Sequence, residues 1–332
     1  MNTKAFKLLR LLADAEFHSG EALSNLLDVS RATVWNLVHE LREAGIEVFS
    51  VTGRGYKLSM PISMFEVERI AQGLGSSVGK LQLELVNGIE STNSALMLRA
   101  ADPVKAEALH GICLIAELQT RGRGRRGRSW LAGIGGGVTF SLLWRFEQGA
   151  AHLSALSLAV GLALVRALEE LGVEHAKLKW PNDVIHHHHK LAGVLIELEG
   201  DVLGPSTAVI GVGINVRLAE ALRANIDQAV TDLETLTGAF VDRNVALACV
   251  LRHLVAVLES YAEEGFAPFK ESWLARHAYE GREVWLQLPK GERQTGRVTG
   301  VADDGSLLLI TEQGQKRYTV GEISVRATAQ PK

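Results

Sequence analysis

The stretch LAGVLIELEGDVLGPSTAVIGVGINV, residues 191–216, contains two strand-like apolar runs separated by a short segment rich in glycine and polar residues. Two further runs of the same kind lie upstream, GICLIAEL (111–118) and GVTFSLLW (137–144). Helical apolar patterns cover residues 152–172 and 244–264. Because long helical patterns alternate with strand-like runs, the middle of the chain is predicted to form a mixed α/β or α+β core.

The composition is typical of a folded globular protein. The chain has 332 residues, of which 22% are charged and 47% hydrophobic, which is enough for two or three domains. Its net charge of -3 provides no global attraction for nucleic acid, so any such contact must be local.

Cysteine usage and apolar patterning predict a cytoplasmic protein without a membrane partner. Cys113 and Cys249 both lie in apolar surroundings, and no CxxC pattern or disulfide framework is present, as expected in a reducing compartment. The N-terminal residues lack the pattern of a signal peptide. The longest apolar run, residues 155–165, is too short to span a membrane and predicts a buried helix.

Residues 1–62 are predicted to form a helix-turn-helix followed by a hairpin wing. GEALSNLLDVS (20–30) predicts one helix, and SRATVWNLVHELREAG (30–45) predicts a second, with Ser30 as its N-cap. VFSVTGRGYKLS (48–59) predicts two strands joined at a glycine turn. This order is typical of DNA-binding domains whose second helix enters the major groove. The residues predicted to contact DNA are Ser30, Arg31, Thr33, Asn36 and Arg54.

The charge of this N-terminal unit leaves a second interpretation open. Residues 1–60 carry seven Lys or Arg and seven Asp or Glu, so the unit is neutral, whereas DNA-binding domains usually present a basic surface. A helical protein-protein module is therefore the alternative. MPISM (60–64) is predicted to be a linker.

The C-terminal part of the chain changes character. From about residue 277 the helical patterns stop, and short strand-like runs are joined by DDG and EQG turns. This pattern predicts a small β-barrel.

Anion chemistry is concentrated in RGRGRRGRSW (121–130), which holds five arginines and three glycines, with no acid between Leu118 and Arg145. Glycine lets the backbone approach a ligand closely, and guanidinium groups bind carboxylate and phosphate oxygens in pairs. The stretch therefore predicts a carboxylate or phosphate site. A nucleic-acid patch or a solvated surface is the alternative.

A run of four histidines, residues 186–189, lies between KWPND and Lys190. Adjacent imidazoles can bind metal, but no cysteine lies nearby. We therefore expect a solvated turn and predict no metal site.

Five motifs occur in a fixed order between the predicted winged helix and the predicted barrel: STN (91–93), GRGRRGRSW (122–130), KWPNDV (179–184), KLAGVLIE (190–197) and GVGINV (211–216). In this order they closely resemble the bifunctional biotin protein ligase and biotin operon repressor family, over nearly the whole chain.

The resemblance implies an α+β multidomain fold. It implies an N-terminal winged helix-turn-helix over residues 1–62. A central mixed sheet with helices, like that of class II aminoacyl-tRNA synthetases, would follow over 65–275, and an SH3-like β-barrel over 277–330.

The family's chemistry and partners are implied in the same way. Such ligases use ATP and Mg²⁺ to convert biotin to biotinyl-5'-AMP, and then transfer biotin to a lysine of the biotin carboxyl carrier protein. Biotinyl-AMP is also the corepressor for a homodimer that binds operator DNA of biotin biosynthesis genes. Three alternatives stay open: a ligase whose winged helix no longer regulates, a lipoyl or octanoyl transferase-like relative, and a ligand-sensing repressor without turnover.

Motif matching also implies the site residues. The catalytic residues would be Lys190, Arg125 and Asp183, with Lys190 on the activated carboxylate and α-phosphate and Asp183 orienting or deprotonating the incoming amine. Biotin would be bound by Ser91, Thr92, Asn93, Gln119, Arg123, Gly124, Arg125 and Lys190. The ATP and adenylate groups would be bound by Arg123, Arg125, Arg126, Arg128, Trp130, Lys179, Asn182, Gly193 and Asn215, the last reading adenine or holding metal.

Overall fold

The computed structural model describes residues 1–102, 108–200, 204–287, 293–319 and 324–327. Three regions follow one another along the described chain: helices with a two-stranded hairpin, a seven-stranded mixed sheet with helices, and a five-stranded antiparallel sheet. The α+β multidomain class predicted from the sequence is confirmed.

The N-terminal region is a helix-turn-helix with a hairpin, as predicted. Its elements are α1 (Thr3–Leu12), α2 (Gly20–Leu27), α3 (Arg31–Glu43), β1 (Val48–Val51) and β2 (Gly55–Leu58). The Ser19 and Ser30 hydroxyls cap α2 and α3 by accepting hydrogen bonds from the third backbone N–H beyond each. Leucines from all three helices and β2 form one buried cluster that holds the region together.

The central region begins after the linker and contains most of the chain. Its helices are α4 (Val67–Gly73), α5 (Thr92–Ala100), α6 (Leu156–Glu170), α7 (Glu220–Arg223), α8 (Leu233–Thr237), α9 (Arg243–Glu264) and α10 (Lys270–Arg276). Its strands are β3 (Gln82–Ile89), β4 (Ile112–Gln119), β5 (Gly137–Phe146), β6 (Lys177–Lys179), β7 (Asp183–His186), β8 (His189–Gly200) and β9 (Ser206–Asn215).

The strand order of the central sheet is β3-β4-β5-β9-β8-β7-β6, with β3 and β4 parallel and the other neighbours antiparallel. The register pairs Gly193 of β8 with Gly213 of β9 on one side and with Asp183 of β7 on the other. This register brings the motifs KWPNDV, KLAGVLIE and GVGINV side by side.

Helices α6 and α9 pack against each other and against the sheet. Among the described residues, one helix, α9, is long and apolar enough to cross a membrane by length and composition. Of its apolar 18-residue stretch, 61% is buried inside the protein. Burial of this kind is typical of a core helix.

The C-terminal region consists of β10 (Glu283–Gln287), β11 (Arg293–Val301), β12 (Leu307–Thr311), β13 (Gly314–Tyr318) and β14 (Ser324–Ala327), in the order β13-β12-β11-β10-β14. All neighbouring strands are antiparallel. Trp180 of the KWPND motif is fully buried and donates to the Gly305 carbonyl at 2.9 Å, so this motif also joins the sheet to the C-terminal region.

A buried ionic network holds Phe65, the residue after the linker, against the central sheet. The Glu117 carboxylate on β4 accepts hydrogen bonds from Arg243 at 2.6 Å and from the Phe65 backbone N–H at 2.6 Å. Arg10 of α1 donates to the Phe65 carbonyl at 2.9 Å and lies 3.5 Å from Glu117. Because Arg243 and Glu117 are almost fully buried, each needs the other's charge, and the network fixes how α1 sits on the sheet.

Candidate functional site

The N-terminus of α5 and the end of β4 form one hydrogen-bonded group of predicted biotin residues. The Thr92 backbone N–H donates to the Gln119 side chain at 2.8 Å, and the Thr92 hydroxyl lies 2.7 Å from that of Ser141. Ser141 donates to Asn93 at 2.6 Å. Ser91 caps α5 by accepting from the Ser94 N–H. These side chains are locked by one another, which is the preorganisation that a polar head group requires.

The GVGIN motif on β9 provides room for side chains from other elements. A Cβ atom at Gly211 would lie 2.2 Å from the Asn93 side-chain oxygen, and one at Gly213 would lie 2.3 Å from the Trp130 ring. Any larger residue at either position would displace a predicted ligand-binding side chain. The need for glycine here is therefore steric.

The arginine stretch folds into a short hairpin-like loop, which we call the arginine loop (121–130). Its backbone is closed by hydrogen bonds from the Gly124 N–H to the Arg128 carbonyl at 2.7 Å and from the Trp130 N–H to the Gly122 carbonyl at 2.8 Å. Arg126 adopts the left-handed conformation with φ 57°. Arg126 and Arg128 are exposed, whereas Arg125 is half-buried.

Glu197 of β8 supplies an acid that the arginine loop itself lacks. Arg123 binds both oxygens of this carboxylate, at 2.8 and 3.0 Å. The same carboxylate accepts from Asn93 at 3.0 Å. Glu197 therefore links the arginine loop to the predicted biotin residues. Sequence reasoning missed Glu197 and Ser141 as site residues, because both lie within apolar strand runs.

Lys190 and Asp183 form an ion pair at the start of β8, with Nζ and Oδ1 2.8 Å apart. Both side chains are largely buried, at 17% and 15% exposure. The Lys190 ammonium also lies 5.7 Å from the centroid of the Trp130 ring, within the range of a cation-π contact. A positive charge held this firmly can stabilise negative charge on a bound reactant.

Gly193 and Trp130 lie beside the Lys190–Asp183 pair, and we call this group of four residues the Lys190 corner. A Cβ at Gly193 would lie 3.1 Å from Cε of Lys190 and 3.4 Å from the Trp130 ring. The Trp130 indole nitrogen is buried and has no hydrogen-bond partner among the described residues. A buried donor without a partner is expected where a ligand supplies the acceptor.

The remaining predicted nucleotide residues surround the Lys190 corner. Arg125 donates to the Asn182 side chain at 3.2 Å, and Asn182 donates to the Val194 carbonyl at 2.7 Å. Burial and the charges of Arg126 and Arg128 lower the pKa of the Arg125 guanidinium, against the opposing effect of Asp183. The guanidinium is therefore poised to gain from an anionic partner.

Lys179 and Asn215 lie at the two sides of this corner. Lys179 is the register partner of Asp183 on the neighbouring strand. Asn215 is buried and donates to the carbonyls of Lys190 and Thr231 at 3.3 and 3.0 Å. Its side-chain NH₂ thus positions the Lys190 backbone.

A cavity of about 740 Å³ opens beside these groups, within the usual size range of small-ligand sites. It is lined by Gln119 and Thr120, the arginine loop, Leu131, Ala132, Leu195, Ile196, Glu197 and Leu222.

The four histidines lie around the turn between β7 and β8: His186 ends β7, His187 and His188 form the turn, and His189 begins β8. His187 and His188 adopt left-handed backbone conformations and are exposed together with His189. Burial, His187 and other neighbouring histidines lower the pKa of His186.

A different set of metal-type ligands lies close together in the described part of the chain: Glu170, Cys249 and His253. Sequence reasoning did not select this set. Hydrogen bonds from Arg252 and His253 hold the pKa of Glu170 at about 2, so its carboxylate already has strong partners. Burial raises the pKa of Cys249 to about 11, which keeps the thiol protonated. We interpret the set as an ion-pair cluster between α6 and α9.

The residues predicted to contact DNA lie on α3, its cap and the hairpin. Ser30, Arg31 and Asn36 are exposed, and Thr33 is half-buried. Arg31 forms an ion pair with Glu21 at 2.7 Å, and Arg54 lies over the Phe17 ring. The hydroxyls of Ser30 and Thr33 bond to each other at 2.9 Å. Ser30, Arg31, Asn36 and Arg54 are therefore accessible, and two of them, Arg31 and Arg54, are already in contact with Glu21 and Phe17.

Three family models match the chain. The biotin/lipoate A/B protein ligase family matches residues 89–215, an HTH domain matches residues 4–57, and the biotin protein ligase C terminal domain matches residues 280–326.

Relatives and solved structures agree with these matches. The chain is 38% identical to the bifunctional ligase/repressor BirA of Escherichia coli (strain K12), over 98% of both chains. It is 30% identical to BirA of Bacillus subtilis (strain 168), over 96% of this chain and 97% of the relative. The biotin protein ligase from Aquifex aeolicus in complex with biotin and ATP superposes with a TM-score of 0.63 at 33% identity, covering 74% of this chain and 99% of that one. The chain therefore belongs to the family of bifunctional biotin protein ligases and biotin repressors.

Proposed function

We propose that this chain converts biotin and ATP to biotinyl-5'-AMP in the cavity beside the arginine loop, and transfers biotin to a lysine of the biotin carboxyl carrier protein. The observation that carries the proposal is the buried Lys190–Asp183 pair, 2.8 Å apart, beside Trp130 and the arginine loop. The protein would act in the cytoplasm, where its carrier and its operator are found.

Biotin would be held first by the hydrogen-bonded group on α5 and β4. Thr92, Asn93, Gln119 and Ser141 present polar groups that are already oriented by one another. The ureido ring of biotin has donors and a carbonyl acceptor that such a group can match, and unmatched analogues would leave buried polar atoms unpaired.

In the first reaction a biotin carboxylate oxygen attacks the α-phosphorus of ATP, and the bond to the β-phosphate oxygen breaks as pyrophosphate leaves. Lys190 would stabilise the charge that develops between the two reactants. Arg125 and the exposed Arg126 and Arg128 would bind the phosphates, since nucleotidyl transfer depends mainly on positioning and charge neutralisation.

Mg²⁺ would reach the site with ATP. The Asp183 oxygen is paired with Lys190, and the Glu197 oxygens with Arg123 and Asn93. Because these two carboxylates already have cationic or amide partners, most oxygen ligands of Mg²⁺ would come from the triphosphate and water, as is usual for this ion.

In the second reaction the amine of the carrier lysine attacks the acyl carbon of biotinyl-AMP, an amide bond forms, and AMP leaves. Asp183 would orient this amine or accept its proton. No enzyme nucleophile is required by this sequence of steps.

The repressor function follows from the N-terminal region. We propose that biotinyl-AMP favours a homodimer, and that the paired α3 helices bind two inverted half-sites in the operator of biotin biosynthesis genes. The network joining Arg10, Phe65 and Glu117 would carry a change in the conformation of the sheet on ligand binding to α1.

Pyrophosphate exchange tests the assigned site. Biotin-dependent exchange between labelled pyrophosphate and ATP should fall by about 10²- to 10³-fold in Lys190→Ala, the usual loss when one preorganised charge is removed. The matched control is Lys270→Ala, because Lys270 also pairs with an aspartate, at 2.7 Å, but outside the site. Near-normal exchange in Lys190→Ala would contradict the assignment.

Three further outcomes separate the alternatives. Exchange that depends on lipoate instead of biotin would identify a lipoyl-type relative. Biotin binding without exchange would identify a sensor without turnover, and exchange without operator binding would identify a ligase whose winged helix no longer regulates.

A further inference from the structure

The outward face of α3 carries an aromatic residue among its polar ones. Val34, Leu37, Val38 and Leu41 are the buried face of this helix. Arg31, Trp35 and His39 follow one another at four-residue spacing, so they lie in one row on the helix surface. This row contains one of the residues already proposed to contact DNA.

Trp35 is 54% exposed, and its ring lies against that of His39 with the centroids 4.0 Å apart. The two rings are tilted by 57°, and the imidazole contact restricts the orientation of the indole. Single exposed apolar residues are common on protein surfaces, so exposure alone indicates nothing.

The position of Trp35 in the fold indicates that its exposed side chain can contact DNA. It is the fifth residue of α3, within the N-terminal half of the second helix of the helix-turn-helix. That half contacts base edges when such a helix lies in the major groove. Leu26, which is more exposed at 65%, lies on α2 instead.

We propose that Trp35 is a specificity-determining DNA contact whose indole packs against the 5-methyl group of a thymine in the major groove of the operator. The thymine methyl is the apolar group that base edges present in this groove, whereas the other base-edge groups there are hydrogen-bond donors and acceptors. His39 holds the ring in place, and Arg31 and Asn36 supply the polar contacts beside it. This inference rests on the proposed repressor function and adds a residue and a base to it.

The contact is tested with operator DNA in which uracil replaces thymine, because uracil lacks only the methyl group. Full-length protein with biotin and MgATP is titrated against a labelled fragment from upstream of biotin biosynthesis genes, and fluorescence anisotropy reports binding. Trp35→Ala should bind the thymine fragment about 10- to 100-fold more weakly, the usual cost of one lost base contact in each of two half-sites. The unsubstituted protein should bind the uracil fragment about tenfold more weakly than the thymine fragment. Trp35→Ala should bind the two fragments with nearly the same affinity.

Two variants control for general effects of losing an exposed apolar side chain. Leu98→Ala removes an 80% exposed leucine from α5 in the catalytic region, and should bind both fragments normally. Trp35→Phe keeps an aromatic ring on α3, and should bind with intermediate affinity while remaining sensitive to the uracil substitution. Pyrophosphate exchange by all three variants should be unchanged, which shows that the chain is folded.

Several results would overturn the inference. If the unsubstituted protein binds the operator and Trp35→Ala binds equally well, Trp35 makes no contact with DNA, and a protein partner becomes its better explanation. If both proteins lose affinity equally on uracil DNA, another residue reads the methyl group. If the unsubstituted protein binds no such fragment, the repressor function fails and this inference fails with it.

Discussion

Replacing Gly213 by alanine would test the packing that positions Trp130 over Lys190. The added Cβ would lie 2.3 Å from one Trp130 ring atom and 2.5 and 2.8 Å from two others. Carbon atoms in contact are usually about 3.5 to 4.0 Å apart, so the ring must move by about 1 Å. Overpacking of this kind costs about 1–3 kcal/mol of stability. Misplacement of a positioning group by about 1 Å can lower a rate by roughly 100-fold.

The assay is biotin-dependent pyrophosphate exchange, with melting temperature measured in parallel. We expect kcat/KM for biotin and ATP to fall by roughly 100-fold in Gly213→Ala. Gly133→Ala is the matched control, because a Cβ there meets no atom within 4 Å and its backbone does not require glycine. Trp130→Phe replaces the indole by a smaller ring. In that background Gly213→Ala should cause little further loss of kcat/KM. The reasoning is refuted if Gly213→Ala behaves like Gly133→Ala, or if its effect is the same with Phe at position 130.

Three other predictions concern separate parts of the protein. Arg31→Ala and Asn36→Ala should abolish operator retention in gel shifts while carrier biotinylation stays normal, and joint loss of both activities would contradict this separation of roles. Biotin plus ATP should slow tryptic cleavage within residues 121–128, because the carboxylate and phosphate oxygens of the ligands order the arginines, and over the same ligand concentrations the sedimenting mass should rise as the dimer forms. Equal cleavage with and without ligand would count against that linkage. Glu170→Gln should lower the free energy of unfolding at pH 7, because the folded carboxyl has a pKa of about 2 against an ordinary 4.5, and the loss should stay below about 1 kcal/mol because solvent screens this exposed pair. Unfolding followed by circular dichroism should show the stability difference between the two proteins shrinking as pH falls through that range.

Local features of the fold were predictable because they depend on neighbouring residues. Ser30 precedes a regular apolar pattern, and it caps α3 as expected. The strand-like run at 191–199 lies in β8, and the run at 207–216 lies in β9 except for its last residue, since continuous apolar runs of that length suit buried strands. The order of the motifs then identified the family.

Contacts between distant residues could not be predicted in this way. Glu197 and Arg123 are 74 positions apart, and Arg10 and Glu117 are 107 positions apart. No local pattern distinguishes these carboxylates from solvated ones. Register decides which side chains meet, and a shift of one residue would turn Glu197 to the other face of the sheet.

The glycines of GVGIN show the same limit, because the side chains that they accommodate are also distant in the sequence. A sequence pattern suggests that Gly211 and Gly213 matter, but only the structure shows that Asn93 and Trp130 occupy the space above them.

Transfer of biotin to a carrier tests the central claim most directly. The protein is incubated with labelled biotin, MgATP and a biotin carboxyl carrier domain, with and without excess lipoate, and the label on the carrier is followed by mass spectrometry. We predict one biotin on one lysine of the carrier, dependent on ATP, resistant to lipoate and strongly reduced in Lys190→Ala. Transfer that lipoate suppresses, or a carrier that stays unlabelled while the protein binds biotin and ATP, would contradict the assignment of this chain as a biotin protein ligase.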